Sequence, residues 1–462
     1  MIENLLKKTL KRYPSIEKNA LKLLGCVPSS IRLGNDFWRW YSFFEESEQW
    51  SSDQLNVYQT DCLGKLLDEL SQTSTFYRKQ LSGMDPQRPV TVKEFQTKVR
   101  TLSRDEFKTN YPDILSSTAG KRRKVEARTS GTTGMALQFY HPSEDRMRES
   151  AAIHHQWKRV GYVPGRSRRA EFRGLTTSGK IVETYPHLHM IRCSILNLKR
   201  EHLCHYADSI RKYKVNFYHG YPSVFYLMTK EICNSGIDFP QPEALLLASE
   251  TVYDFQLVQI RTAFPKAKIF AHYGCAEHTV MAGWCEYRQE YHVLPQYSLV
   301  EVDEETSEVI GTNFFNSING FVRYRMTDTV LEFDKEPCPS CGRPYAPRFI
   351  RLGGRLEEYL FSPKNGWIPP AIVTYPLKEL KTVREIQFVQ TERKAITVNY
   401  TARANTDISV ATELSHLEAD LRFLFGEDMI FHFERVDDFS RSPAGKFKWI
   451  ICELENRIQE YQ

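Results

Sequence analysis

The stretch RTSGTTGMALQFY, Arg128 to Tyr140, sets Gly131 and Gly134 among the hydroxyls of Thr129, Ser130, Thr132 and Thr133. Glycine lets successive backbone N–H groups turn inward, and the hydroxyls add further donors, so such a segment is able to cradle phosphate oxygens. A plain flexible hairpin has the same composition, and the spacing leaves both readings open. The segment is not a Gly-Lys-Ser/Thr phosphate loop, because Met135 stands where that lysine would be needed.

Two other stretches carry candidate chemistry. CPSCGR, Cys338 to Arg343, is a Cys-x-x-Cys knuckle, whose two thiolates are able to take adjacent corners of a metal tetrahedron; a redox dithiol is the competing reading. YHGYPSVFYLM brings His219, Gly220, Tyr221, Pro222 and Ser223 to the junction of a strand and a helix, where open α/β sheets place ligands. Phe225 and Leu227 in the same run read equally as pocket wall or as core.

The elements that must position these residues follow from periodicity. Residues 1–115 read as a helical lead-in, with LNVYQTDCLGKLLDELSQTS carrying leucines at three- and four-residue spacing before a Ser/Thr-rich stop. After Lys121, apolar runs such as NFYHG, ALLLAS and AKIFAHYG alternate with helical stretches, as in a parallel sheet wrapped by helices. From Tyr291 the chain is strand-rich, and YSLVEVDEETSEVIGTNFF reads strand, acidic turn, strand. The last hundred residues read as hairpin, helix and strand, a small α+β module. The fold class is therefore α/β: a large N-terminal α/β domain, 1–353, with a helical lead-in and a β-rich subdomain, and a small C-terminal α+β domain, 354–462. The boundary falls at the paired glycines of RLGGRLEEY.

At 462 residues the chain is long enough for two to four domains with sizeable cores. A formal net charge of +5 from 62 basic and 57 acidic residues gives no reason to expect nucleic acid as a partner. KRRK at Lys121 to Lys124 and GRSRR after Gly165 read as solvated basic surface or as a steering field for a polyanion. Ten scattered cysteines point to free thiols and a metal site in a reducing, cytoplasmic setting. MIENLLKKTLKRYP has helical apolar spacing broken by lysines, which excludes a signal peptide and is compatible with membrane-surface association. No run of 18 apolar residues is present, so no transmembrane segment is expected.

TSGTTG at Thr129 to Gly134 resembles the phosphate-binding loop of the acyl-adenylate-forming superfamily, in particular its phenylacetate–coenzyme A ligase and CapK-like branch. GYVPG (161–165), GYPSVFYLM (220–228), ASE (248–250), HYGCAE (272–277), VRYRMTD (322–328), GGR (353–355) and SPAGKFK (442–448) follow in the family's order. The resemblance spans about residues 120 to 450 and implies an adenylate-forming ligase that joins a small-molecule carboxylic acid to ATP, releases pyrophosphate, and passes the acyl group to a thiol, amine or hydroxyl. It implies that Thr129 to Gly134 hold phosphates, that Ser249, Glu250, Tyr273 and Gly274 border adenine, and that Glu277 supplies a carboxylate to Mg²⁺. Asp328 would accept hydrogen bonds from both ribose hydroxyls, and Arg355 would add a cationic fork to sugar or phosphate. Lys446 is the catalytic candidate, bridging attacking and leaving oxygens as charge builds, with Lys448 the near alternative. The small domain would be a mobile lid swinging about Leu356 or Glu357.

The same resemblance implies a structural Zn²⁺ on Cys285, His292, Cys338 and Cys341, because zinc-binding members of the branch carry a similar Cys and His after the YGxxE motif. GRLEEYLFSPKNGWIPP departs from the ligases by lacking their GxNxxP run. That departure puts coenzyme A in question and, with the CapK-like association with cell-surface polysaccharide synthesis, brings in a saccharide acceptor. A catalytically silent nucleotide-binding scaffold is the rival from a different class.

Overall fold

The computed structural model describes residues 13–84, 90–128, 137–172, 180–195, 198–252, 254–345, 347–354, 359–368, 370–373, 376–380, 382–402, 407–437, 439 and 450–454. Its strands are β1 Lys124–Arg128, β2 Gln138–Pro142, β3 Arg169–Phe172, β4 Val182–Tyr185, β5 Met190–Cys193, β6 Phe217–Gly220, β7 Ala244–Ala248, β8 Lys268–Gly274, β9 Met281–Trp284 and β10 Tyr291–Val293. They continue as β11 Leu299–Val302, β12 Glu308–Thr312, β13 Tyr324–Asp334, β14 Arg348–Gly354, β15 Leu360–Ser362, β16 Gly366–Ile368, β17 Val383–Glu392, β18 Ala395–Ala402, β19 Ile430–Arg435 and β20 Ile450–Cys452. The longer helices are α1 Pro14–Cys26, α2 Asn35–Ser47, α3 Ser52–Thr73, α4 Asp145–Trp157, α5 Arg200–Tyr213, α6 Pro222–Ser235, α7 Asp254–Ala263 and α8 Asp407–Phe425.

Twelve strands form one sheet in the order β11-β12-β13-β14-β10-β9-β8-β7-β6-β3-β5-β4. Its middle, β8-β7-β6-β3-β5, is parallel. β7 is ALLLA and is buried at every position, as a strand covered on both faces must be. The strand-rich segment continues the same sheet, because β10 lies between β9 and β14. β13 mixes buried and exposed positions, as an antiparallel strand with one wet face does. A separate four-stranded sheet, β19-β18-β17-β20, contains the hairpin and strand expected near the C-terminus and flanks the β17–β18 pair with a parallel partner on each side.

The lead-in is helical and docks on the sheet. Ser51 opens α3 with a reciprocal cap: its hydroxyl accepts from the Gln54 backbone at 3.3 Å and its own N–H donates to Gln54 Oε1 at 2.8 Å. The face of α3 carrying Leu55, Leu63, Leu66, Leu67 and Leu70 is buried. Leu102 exchanges backbone hydrogen bonds of 2.9 Å with Arg323 and Arg325, which ties the lead-in to the start of β13. Phe37, Tyr41 and Phe44 of α2 pack on Ala151 and Ala152 of α4, with Tyr297 and Tyr345 in the same cluster.

Helix α2 ends in a buried charge network. Glu48 accepts from Arg343 Nε at 2.8 Å and lies 3.5 Å from His155 and 3.7 Å from Arg159. Burial alone would raise this carboxyl, but His155, Arg343 and Arg159 outweigh it and hold the pKa down at about 2, from an ordinary 4.5. Because the folded value is depressed, the stabilisation is present above about pH 4.5 and is lost as pH falls toward 2. Glu48→Gln is therefore expected to cost about 3 kcal/mol at neutral pH. Urea unfolding of the wild type and the variant should show that gap at pH 7 and a narrowing gap at pH 3; a constant gap would contradict the assignment.

Candidate active site

Three neighbouring parallel strands, β6, β7 and β8, end side by side, with Gly220 opposite Leu247 and Ala248 opposite His272. Each end carries an expected motif: His219 to Pro222 at and after β6, Ser249 and Glu250 after β7, and Tyr273 to Glu277 at and after β8. Carboxyl ends of parallel strands are where open α/β sheets bind ligands. Side-chain burial separates the members: His219, Gly220, Pro222 and Glu277 are buried, Tyr221, Glu250, Tyr273 and Gly274 half-buried, and Ser249 exposed with φ 70°. Gly220 is required by close approach, since a Cβ there would lie 2.6 Å from the Phe172 carbonyl of β3.

Asp328 is brought to this edge from the far half of the sheet. The Tyr273 hydroxyl donates to Asp328 Oδ2 at 2.9 Å. Register shifts beside Asp328, in the pairing of β13 with β12 and with β14, and φ 63° at Thr327 re-aim the strand locally, as bulges do. The Thr327 N–H donates to Glu308 Oε1 at 2.7 Å, and Arg325 binds the same carboxylate.

Thr129 to Gly134, Arg355, Lys446, Lys448, Leu356 and Glu357 lie outside the described residues, as does the side chain of Ser223. On either side of the glycine-threonine run, β1 and β2 pair antiparallel with Arg128 opposite Gln138. Phe225 and Leu227 are core. Part of each basic cluster is tied down: Arg122 binds Glu69 and Ser317, Lys124 donates to the Ala119 carbonyl over the Tyr140 ring, and Arg169 donates to Tyr162, while Lys121, Arg123 and Arg166 are exposed.

Around His219 the structure adds residues that sequence reasoning missed. His219 Nδ1 lies 3.6 Å from Glu171 Oε1, Arg192 grips Glu171 Oε2 at 2.6 and 2.8 Å, and Trp157 packs edge-on against the His219 ring. Burial would raise the Glu171 carboxyl, but His219, Arg169 and Arg192 hold it well below the usual range. Glu171 and His219 are register partners on β3 and β6, a pairing no linear spacing reveals. A second missed group, His141, Asp145 and His278, lies beside Glu277. There burial is outweighed by Arg148, His278 and His141, which hold Asp145 well below its usual range, while Glu149 and Asp145 raise His278 against its own burial.

Cys285, His292, Cys338 and Cys341 converge, their ligand atoms all within 4.8 Å of one another. Cys285 Sγ is 4.0 Å from Cys338 Sγ, and Cys341 Sγ is 3.8 Å from His292 Nδ1. These match the edge of about 3.8 Å of a tetrahedron with bonds of about 2.3 Å. Burial and three arginines, Arg159, Arg343 and Arg348, push His292 down to about 3, leaving the neutral imidazole a metal requires. Burial pushes the Cys285 thiol up to about 11, a cost that a bound cation would remove; backbone N–H groups of Cys341 and Ser340 offset burial at Cys338 and lower it.

Residues 360–453 match the CapK C-terminal domain family model. The chain is 24% identical over 363 residues to Protein CapK of Staphylococcus aureus, across 77% of this chain and 79% of that protein. Crystal structures of a 2-hydroxyisobutyryl-CoA ligase share the fold. One, in the postadenylation state with 2-HIB-AMP, has a TM-score of 0.55 at 13% identity, over 88% of this chain and 92% of that one. Another, in the thioesterification state with 2-HIB-AMP and CoA, has a TM-score of 0.54 at 14% identity, over 88% and 91%.

The Tyr273–Asp328 bond ties the two halves of the sheet at the site. A double-mutant cycle of Tyr273→Phe and Asp328→Ala, read by denaturant unfolding, is expected to show a coupling of about 1 kcal/mol; a value below about 0.3 kcal/mol would mean the bond does not form.

Proposed function

From the premise that this chain belongs to the CapK-like branch of the adenylate-forming superfamily, we propose that it activates a carboxylic acid as an acyl-adenylate and hands the acyl group to an acceptor. The observation that supports this most is the gathering of His219 to Pro222, Ser249–Glu250 and Tyr273 to Glu277 on three adjacent strand ends, with Asp328 hydrogen-bonded to Tyr273.

In this reading ATP is a substrate bound across those strand ends. Tyr273 presents its ring to adenine, and the Asp328 carboxylate, already oriented by the Tyr273 hydroxyl, accepts from the ribose hydroxyls. Ser249 and Glu250 border the base. Thr129 to Gly134 donate to phosphate oxygens and Arg355 pairs with sugar or phosphate. Glu277 would hold Mg²⁺, which when bound neutralises charge on the phosphates. Lys446, or Lys448 two residues on, stabilises the negative charge that builds between the acid's attacking oxygen and the departing pyrophosphate, delivered by a lid that begins at residue 354. His219, Gly220, Tyr221, Pro222 and Ser223 border the acid. Structural Zn²⁺ on Cys285, His292, Cys338 and Cys341 closes the knuckle without an open position for substrate. The cytoplasm is the compartment this reading assumes. Among the described residues no helix is long and apolar enough to cross a membrane.

Two acceptors follow from the two sides of the likeness. Coenzyme A is the acceptor if the chain completes the ligase reaction, and a saccharide amine or hydroxyl is the acceptor if the missing GxNxxP run marks its loss.

Labelled pyrophosphate should exchange into ATP in the presence of the right acid, and Lys446→Ala should lower that exchange by about 100-fold or more. No exchange across a broad acid panel would remove the adenylating reading. With the acid found, consumption of coenzyme A separates ligase from saccharide transferase. Elemental analysis of protein purified without chelator should give about one zinc per chain, and less than half of that in Cys338→Ser.

A further inference from the structure

Glu277 sits at the corner of a tight turn. The His278 N–H donates to the Cys275 carbonyl at 3.2 Å, with Ala276 and Glu277 between them, and His278 takes φ 56°, a left-handed conformation that few non-glycine residues adopt. A turn of this shape persists only where its surroundings determine it. Groups from three separate segments, β2, α4 and β12 with its end, do so together with a bond inside the turn. His141 of β2 donates from Nε2 to the Ala276 carbonyl at 2.8 Å. Asn313, just after β12, donates to the Glu277 carbonyl at 3.2 Å. His278 Nδ1 donates to Asp145 Oδ2 of α4 at 2.8 Å. The Thr279 N–H donates to Cys275 Sγ at 3.3 Å, and Gly311 of β12 admits the Thr279 carbonyl, which would lie 2.5 Å from a Cβ there.

The anchors are themselves joined. The His141 and His278 rings stack at 3.9 Å, and His141 Nδ1 lies 3.2 Å from the Asp145 oxygen that His278 uses. Arg148, fully buried, binds Asp145 Oδ1 through Nε and Nη2 at 2.8 and 2.6 Å and reaches Asn313 Oδ1 at 3.3 Å.

We propose that His141, Asp145 and His278 are a clamp of positioning residues that fixes the Cys275–His278 turn and thereby aims the Glu277 carboxylate at the divalent cation of the nucleotide; this rests on the adenylating reading of Glu277. The clamp holds the turn by the Ala276 carbonyl and by the ring of His278, so that no reorganisation of the main chain is needed when the cation arrives. The three side chains also have the donor types of a metal site. Arg148 argues against that use, because its guanidinium already occupies Asp145 and would face any added cation across a buried carboxylate.

Removing Asp145 would strip Arg148 of its partner and endanger folding, so the test uses His278. His278→Gly accepts the left-handed backbone but lacks the donor. His278→Asn tolerates the same backbone and offers a side-chain N–H. Calorimetric titration with ATP, with and without Mg²⁺ and without acid substrate, is expected to show Mg·ATP affinity lowered at least about tenfold in H278G and restored to within about threefold of wild type in H278N. Affinity for metal-free ATP should be the same in all three, a pattern that general destabilisation would not produce. Wild-type Mg·ATP affinity in H278G, an equal loss in H278N, or an equal loss for metal-free ATP would overturn the clamp. If the wild type takes up no nucleotide, the adenylating reading fails on its own. Crystal structures of the two variants then decide the clamp: a turn displaced in H278G and kept in H278N supports it, and a turn unmoved in both overturns it.

Discussion

A fully buried guanidinium is the constraint on which the arrangement turns. Taking Arg148 and Asp145 out of water costs several kcal/mol per ion, so the pair survives only with every polar direction filled. Arg148 fills them with Asp145, the Tyr297 carbonyl at 2.7 Å and Asn313, while the rings of Tyr297 and Phe315 cover its faces at 4.1 and 4.4 Å. One side chain of α4 thus joins the segment before β11 to the segment after β12. The same helix ends in Trp157, against which His219 packs. The strand ends that carry His219 and Glu277 are therefore referred to a common helix, and that helix is held by charge as well as by apolar contact.

Asp328 reaches the site by a second route. Its strand starts where the helical lead-in clasps it at Leu102, and Arg323 donates to the Gln96 and Val99 carbonyls at 2.5 and 2.6 Å while pairing with Glu301. Residues before β1 carry no recognised motif, yet they fix the strand from which Asp328 reaches Tyr273. Their contribution to the site is made through backbone hydrogen bonds that a motif search does not see.

What the sequence made legible follows from how locally each feature is encoded. ALLLA is uninterrupted apolar, and only a buried strand or helix suits it; its length and the small residues after it favour strand, as found. The Cys-x-x-Cys spacing carries its own geometry, and Cys285 and His292 converge on it as the resemblance implied. Helix α4 is different. DRMRESAAIHHQW buries Asp145, Arg148, His155 and Gln156, so hydropathy gives no sign of which face is inside. Asp145 and Arg148 stand three apart, the spacing of an ordinary surface ion pair. Glu171 and His219 meet only through β3–β6 register, 48 positions apart in sequence. Side chains whose partners are set by sheet order rather than by spacing stay hidden until the order is known.

Among the described residues the wide sheet ends in β11 on one side and β4 on the other, each four residues long. Short rims offer little template for another chain to add to. The interior strands are the opposite: β7 is apolar throughout, and β10 is inserted between strands from distant parts of the chain. Separating the polypeptide into two pieces between Phe172 and Arg348 would leave interior strands of this sheet without a neighbour. Unpaired apolar strands of that kind template association, so the two halves are expected to hold together or precipitate rather than stay apart in solution.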